Sequence, residues 1–600
     1  PQNTNQTSPF VDQNQAYGSA ELIGQFLRES NGTGGLGSHL LSGEADPSAP
    51  GFQLLPTLRH LLDHHIAAQT IFTGTNKGDI TLEGYYPGLI NPATGAYDPT
   101  VVGSVNANFL GSGYALLVDT NSFISLLDHV VAGDGRVNEN VGLSSMHTIW
   151  ARNHNYHADQ LQTIYSEAGI EITAEELFQA AKMVNETEYQ RIIFTEFAET
   201  MLGSAGIRGV GQHGFSDYQP GTDARISQEF AAMAYRVGHT MIGQNLTVLD
   251  ADGNPVAVPL FDLFLNPSNE ASAFSFDPDG LGPAARLSGD AAVQALAQYG
   301  YSPAPGYEQR GVAAILGGLV QQPAEEIDTQ MVDAVRNDLV RIRADLAAFN
   351  IARGWDLGLG TLNQIKADLQ ASNSGYVQEA LSYVGAESMR PYDSWADFQN
   401  RNGLSASEIS KFMAAYPDLV LSSADQIASF ALVNPDIQLI DNGDGSATVK
   451  GIDRVDGWVG GLAEQKFEDS LLGSTFWTII HEQMDRLQEG DRFYYLPRLE
   501  NLEFYQNWAE NQSFADIVAR NTGLTGLPES IFAVYNADGA TIGLPGSNQT
   551  PPVETYPVVT PPVTDGHGAP TDVVTSPVVV DTSVVDTSKA IHLGLNLHKL

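Results

Sequence analysis

Three short stretches carry residues that could do chemistry. In the first, Arg136 and Glu139 follow the tight run Val131-Ala-Gly-Asp-Gly135 and head a stretch with Leu143, Met146, Ile149 and Trp150 at helical spacing. Residues three apart share a helix face, so the guanidinium and carboxylate could act together on a polar ligand, or form only a local ion pair. In the second, Tyr235-Arg-Val-Gly-His-Thr240, His239 stands one turn beyond Arg236 on a segment whose Phe230, Met233, Ala234 and Val237 form an apolar face. Gly238 removes a side chain beside the imidazole and would let a flat group approach the backbone. Such a histidine is either a hydrogen-bonded core residue or a metal ligand. In the third, Ser8, Asp12 and Asn14 lie at even spacing, so an extended chain presents their oxygens on one side together with the Phe10 carbonyl. Hard oxygen donors of that kind suit calcium; the alternative is a polar loop before a helix.

Other residues invite a reading and are weaker. His147, His154 and His157 share one predicted helix and read as buried or half-buried structural histidines. His481-Glu-Gln-Met-Asp485 is one residue short of a zinc-protease helix, because Asp485 stands where a second histidine belongs. The glycine-rich run after Arg353 lacks the preceding strand and the Gly-Lys-Ser/Thr ending of a phosphate loop.

The elements that must position these groups are mainly helical. Apolar periodicity predicts helices at Ala20–Glu29, Leu54–Thr70, Leu126–Val131, 136–168, Ala174–Leu202 (opened by a Thr173/Glu176 capping box), Asp338–Phe349 and Ser407–Tyr416, and a helix face at Phe230, Met233, Ala234 and Val237. Asp250-Ala-Asp-Gly-Asn254 reads as a hairpin turn, and 432–450 as a small hairpin around Asn442-Gly-Asp-Gly. The chain has 600 residues and 42% hydrophobic content, enough for a large core. Its formal charge of −42 would repel nucleic acid and anionic lipid. The absence of cysteine excludes disulfides, thiolate zinc or haem ligation and iron–sulfur clusters. No run of about 18 apolar residues is present to span a membrane. The chain opens on Pro1 without a signal peptide, which reads as an interior start.

Five segments, taken in order, resemble the animal-type haem peroxidase superfamily in its bacterial secreted, calcium-binding branch. They are the Phe10-Val-Asp…Tyr17-Gly-Ser19 run, the AGDGRVNENVGLSSMHTIWARNHN stretch from Ala132, the YRVGHT stretch, the RGWDLGLGTLN run ending at Asn363, and the closing segments at 455–464, 472–476 and 485–495. The resemblance implies a mainly α fold: a large helical domain with long insertions and a C-terminal Pro/Thr/Val-rich extended tail. It divides the chain into a calcium loop and first helix (1–29), an insertion (30–125), a helical core (126–528) and a linker and tail (529–600).

The resemblance also implies a haem b between two helices. His239 would ligate the iron, Arg236 would meet a haem carboxylate, and Asn363 would accept a hydrogen bond from the proximal imidazole. Arg136 would direct positive charge at bound peroxide, and Glu139 occupies the place of an ester link to haem. Asn140 stands where one mammalian member forms a sulfonium link, so no such bond is expected. Ser8, Phe10, Asp12 and Asn14 would hold calcium. Trp355 and Lys366 depart from the family pattern, where arginines stand. His64 follows Asp63 as the family's distal base follows an aspartate, but after the calcium loop rather than before it; the base is therefore expected upstream of Pro1. The implied activity is an exported peroxidase, of the kind that answers oxidative stress, using hydrogen peroxide and a halide, phenolic or Mn(II) donor. The alternatives are an extracellular adhesin or surface protein with a degenerate peroxidase module, and a fatty-acid dioxygenase, which Tyr235 serves poorly at four residues before His239.

Overall fold

The computed structural model describes residues 8–67, 129–206, 215, 217–264, 306–337, 345–533 and 542–545, apart from single positions, with two short strands at 274–276 and 285–287. These residues are mainly helical, as the periodicity predicts, and their strands form small antiparallel sheets of two or three members.

The longest helix, α1 (Val141–Glu167), begins where Asn140 turns extended and its side chain accepts from the Leu143 amide at 2.8 Å. That cap separates α1 from a 3₁₀ turn, Gly135–Asn138, which Asp134 caps through the Arg136 amide. The single helix expected from 136 is therefore two pieces. Helix α2 (Ala174–Ile192) opens on the predicted Thr173/Glu176 box and runs on through a π turn to Leu202, where Gly203 (φ 67°, ψ −171°) kinks the chain. The stretch with the predicted face at Phe230, Met233, Ala234 and Val237 comprises α3 (Gln228–Ala232) and a 3₁₀ turn Ala234–His239, followed by a hairpin, Asn245–Leu249 against Pro255–Pro259. Met233, at φ −131° and ψ −77°, makes the break.

Helix α4 (Val312–Leu319) is almost wholly buried. Helix α5 (Leu346–Leu357), capped by Asp345, continues through much of the run expected as a glycine-rich loop. Helices α6 (Leu362–Ala371) and α7 (Gly375–Val384) follow, then α8 (Ser474–Glu489) and α9 (Phe514–Thr522).

Two apolar cores hold this arrangement. One joins α1, α4 and α9, with Trp150 stacked on Phe514 at 6.0 Å. The other sets Met233, Ala234 and Val237 against Trp477 and Ile480 of α8. Each large side chain so buried contributes about 2–3 kcal/mol.

Within the 30–125 segment, Ala49, Leu54 and Leu55 belong to the first core, and the buried Asp46 pairs at 2.7 Å with Arg152 of α1, whose side chain is 9% exposed. Phe532 packs on Phe514 at 5.4 Å and Ile542 is buried, which carries the domain past 528. Val130 pairs with Thr57 in a β-bridge rather than ending a helix. The Pro/Thr/Val-rich tail lies outside the described residues.

Candidate functional site

Burial of Met233, Ala234 and Val237 fixes the 3₁₀ turn and leaves His239 half-buried at its end. The amide of Asn350 lies against its ring: Asn350 Oδ1 is 3.1 Å and Nδ2 2.9 Å from His239 Nδ1. With the amide oxygen toward Nδ1–H, the lone pair resides on Nε2, the tautomer a metal requires. Burial and the nearby Arg236 hold the imidazole below its usual pKa, hence neutral at pH 7. Nε2 has no hydrogen-bond partner among the described residues. A Cβ built on the adjacent Gly238 would meet nothing within 4 Å. Tyr235 is 52% exposed and stacks on Phe230 at 4.9 Å between ring centroids.

Asn363, expected on this imidazole, lies elsewhere. Its amide bridges the Tyr392 backbone (2.9 Å to the carbonyl, 2.8 Å from the amide) and Asp453 Oδ1 (2.7 Å), tying α6 to later loops. Because α5 is helical through Leu357, the residue that reaches His239 is Asn350, and Arg353 follows it three residues on the same helix. Asn350 and Arg353 are the residues the sequence reading missed; the Asn-x-x-Arg spacing was the available signal. Lys366 also turns away from the slot, into a buried pair with Glu464 at 2.6 Å and a bond to the Ser388 carbonyl. Trp355 is 67% exposed and donates to Asp456.

Arg136 has a 60% exposed side chain, and its charge reaches Arg236. Its guanidinium is held by Asp134 at 3.0 and 2.6 Å, and that pairing keeps Asp134 below the usual carboxylate range despite burial. Burial, then the like charges of Arg353 and Arg136, lower the Arg236 pKa, so the three guanidiniums are near enough to act on one another. Arg236 spends one N–H on the Ala231 carbonyl, and neither Arg236 nor Arg353 has an ion-pair partner among the described residues. Glu139, half-buried, ends the same 3₁₀ turn as Arg136.

The loop from Ser8 clamps this turn. Gly133 N donates to the Gln15 carbonyl at 2.9 Å, and a Cβ on Gly133 would lie 2.1 Å from the Asn14 carbonyl oxygen. Within the loop, Ser8 Oγ accepts from Phe10 N, and Asp12 Oδ1 from Asn14 N. Burial raises the Asp12 pKa, a cost that a bound cation would offset. No cluster of three metal-ligating acids or histidines occurs among the described residues.

The remaining histidines are structural. His64 accepts from the Ser30 amide at 2.8 Å, fastening its helix to the strand Arg28–Ser30. His147 Nδ1 is bonded to the Leu143 carbonyl. His154 lies between Tyr17 Oη and the Ser38 carbonyl, with its pKa driven down to about 3 by burial. His157 pairs with Glu188 at 2.8 Å in complete burial. His481 is buried within α8.

A porphyrin fits these residues. The slot offers a neutral imidazole with a directed lone pair, open space at Gly238, and two cations for two carboxylates. The profile of the animal haem peroxidase family matches residues 119–393 and 444–532, and the chain belongs to that family, which implies haem. Peroxinectin A of Dictyostelium discoideum is 25% identical over 399 residues, covering 66% of this chain and 55% of the relative. Peroxidasin of Drosophila melanogaster is 28% identical over 369 residues, covering 61% of this chain and 18% of the relative. The chain thus spans about half of the first and under a fifth of the second. Peroxidase A of Dictyostelium discoideum shares the fold, with a TM-score of 0.50, 22% identity, and coverage of 85% of this chain and 68% of that one.

Proposed function

We propose that the protein is a haem-dependent peroxidase, reducing hydrogen peroxide to water while oxidising a small halide, phenolic or Mn(II) donor. The observation that carries this reading is the His239–Asn350 pair on a slot ringed by Arg236, Arg353 and Arg136. Haem, when bound, supplies the iron at which peroxide is reduced. His239 would direct Nε2 at the metal, while Asn350 fixes the tautomer and orientation of the ring. Arg236 and Arg353 would each offset a carboxylate at the cofactor edge. Arg136, braced by Asp134, would present fixed positive charge to the peroxide, an effect typically of about 3 kcal/mol on the barrier.

The base that moves the peroxide proton is proposed to lie outside the described residues, since His64 is engaged by Ser30. An ester between Glu139 and haem is supported by its place on the Arg136 turn; entirely acid-extractable haem would reject it. Calcium at Ser8, Phe10, Asp12 and Asn14 is supported by the half-buried Asp12 and by the loop's contact with Gly133. Chelation should then shift the haem spectrum. An exported protein of the bacterial secreted branch is supported by the acidic, cysteine-free composition.

Reconstitution with haem, followed by peroxide-driven donor oxidation, tests the reading. A Soret band with turnover supports it. No haem binding would leave an extracellular structural role.

A further inference from the structure

Of the six tryptophans, Trp150, Trp458, Trp477 and Trp508 are buried and Trp395 is half-buried, while Trp355 is 67% exposed. Exposure of one apolar side chain is ordinary; what sets Trp355 apart is its hydrogen bonding and its place. Trp355 Nε1 donates to Asp456 Oδ1 at 2.5 Å, and Tyr416 Oη donates to Asp456 Oδ2 at 2.6 Å. One carboxylate thus joins an exposed indole to a half-buried phenol. Burial, then the bond to Asp456, hold the Tyr416 phenol well above its usual pKa, so it keeps its proton. The indole ring is left uncovered, because Ala352 and Ala348, about one and two turns before it on α5, are small and exposed.

Both members of this indole–carboxylate pair stand on elements that hold the His239 turn. Helix α5 sets Asn350 against His239, and Trp355 follows five residues on, about 8 Å along the helix axis. Asp456 precedes the short helix Gly457–Leu462, and a Cβ on Gly457 would lie 2.5 Å from Met233 Sδ, at the start of that turn. The pair therefore links the outer surface to the wall behind His239.

We propose that Trp355 is a surface oxidation site, whose indole relays single electrons from phenolic donors too bulky for the haem slot while Asp456 takes and returns the indole proton. This rests on the haem-peroxidase reading, which supplies the oxidant. Trp355 gives up one electron toward the peroxide-oxidised cofactor, and its Nε1 proton moves along the hydrogen bond to Asp456 Oδ1. The positive charge that develops on the ring as the electron leaves is met there by an anionic oxygen. The neutral indolyl radical then takes one electron from a phenol at the surface and recovers its proton from Asp456. The phenol loses its own proton to water and departs as a phenoxyl radical. Two such turns consume one hydrogen peroxide and the two protons that the phenols release, and give two waters. Asp356, exposed beside the indole, and the chain's charge of −42 repel anionic donors, so a neutral phenolic polymer suits the site.

Two probes separate this site from the slot: guaiacol, and phenol grafted to dextran, which the polymer holds outside. In the haem-loaded full chain, Trp355→Phe should lower kcat/KM for the grafted phenol by at least about tenfold and leave guaiacol within about twofold. Electron paramagnetic resonance after rapid freezing with peroxide and no donor should show a tryptophanyl radical in wild type. That signal should vanish in Trp355→Phe and weaken in Asp456→Asn, whose amide accepts the bond and cannot take the proton. Mass analysis of the same wild-type sample should find added oxygen on Trp355, a readout that needs no variant. With guaiacol turnover intact, an unchanged grafted-phenol rate or the same radical in Trp355→Phe, or an unoxidised Trp355 in wild type, overturns the proposal. An unweakened radical in Asp456→Asn overturns the part given to Asp456. Absence of guaiacol turnover in wild type would sink the peroxidase reading itself, and the surface site with it.

Discussion

Replacing Asn350 with alanine removes the group that orients His239, and the structure sets the size of the effect. Asn350 is buried, and its amide lies 2.9–3.1 Å from His239 Nδ1. Truncation leaves the Nδ1–H without an acceptor in a half-buried site and frees the ring to rotate. Loss of such an orienting partner typically costs about 10–100-fold in metal affinity, or roughly 1.4–2.7 kcal/mol. Titration of haem into the apo-protein, followed at the Soret band, should show that weakening in Asn350→Ala. Asn363→Ala is the control. It breaks contacts to Tyr392 and Asp453, so it should lower the melting temperature while haem affinity stays within a few-fold of wild type. Weaker haem binding in Asn363→Ala together with unchanged binding in Asn350→Ala would refute the role given to Asn350.

Three further outcomes follow from buried groups. Asp46→Ala should destabilise the fold by about 3–5 kcal/mol in urea unfolding, because Arg152 would remain buried without its carboxylate. Burial would raise the Glu188 pKa, but His157 and Arg520 more than offset that and hold it at about 2. Its contribution is therefore present above the ordinary carboxylate range and lost as pH falls toward 2. Acid unfolding followed by circular dichroism should show roughly 3 kcal/mol disappearing over that window in wild type and not in Glu188→Gln. Gly133→Ala should cost at least the roughly 1–3 kcal/mol of ordinary overpacking, because its Cβ would strike backbone of the Ser8–Gly18 loop; an unchanged melting temperature would contradict the clamp.

Local chemistry carried well from sequence to structure. The Thr173/Glu176 box, the hairpin at Asp250–Asn254 and the apolar side of the His239 segment depend on neighbours a few residues away, and all form as read. Helix interruptions were harder. Asn140 caps by leaving helical geometry, and Met233 breaks its helix because tertiary burial on both sides outweighs local propensity.

Least legible were partners distant in the chain. The Asp46–Arg152 pair and the Arg520 contact with Asn153 span more than one hundred and three hundred residues respectively, and no periodicity announces them. The same limit explains the choice of Asn350 over Asn363. Both asparagines follow plausible helix signals, and only packing of α5 beside the 3₁₀ turn decides which reaches His239.

The central claim is that the imidazole of residue 239 binds the cofactor iron from the Asn350 side of the slot. Resonance Raman spectroscopy of the reduced, haem-reconstituted full chain measures the iron–histidine stretch directly. The account predicts that stretch in wild type, a shift to lower frequency in Asn350→Ala, and its loss in His239→Ala. An unchanged band in His239→Ala would contradict it.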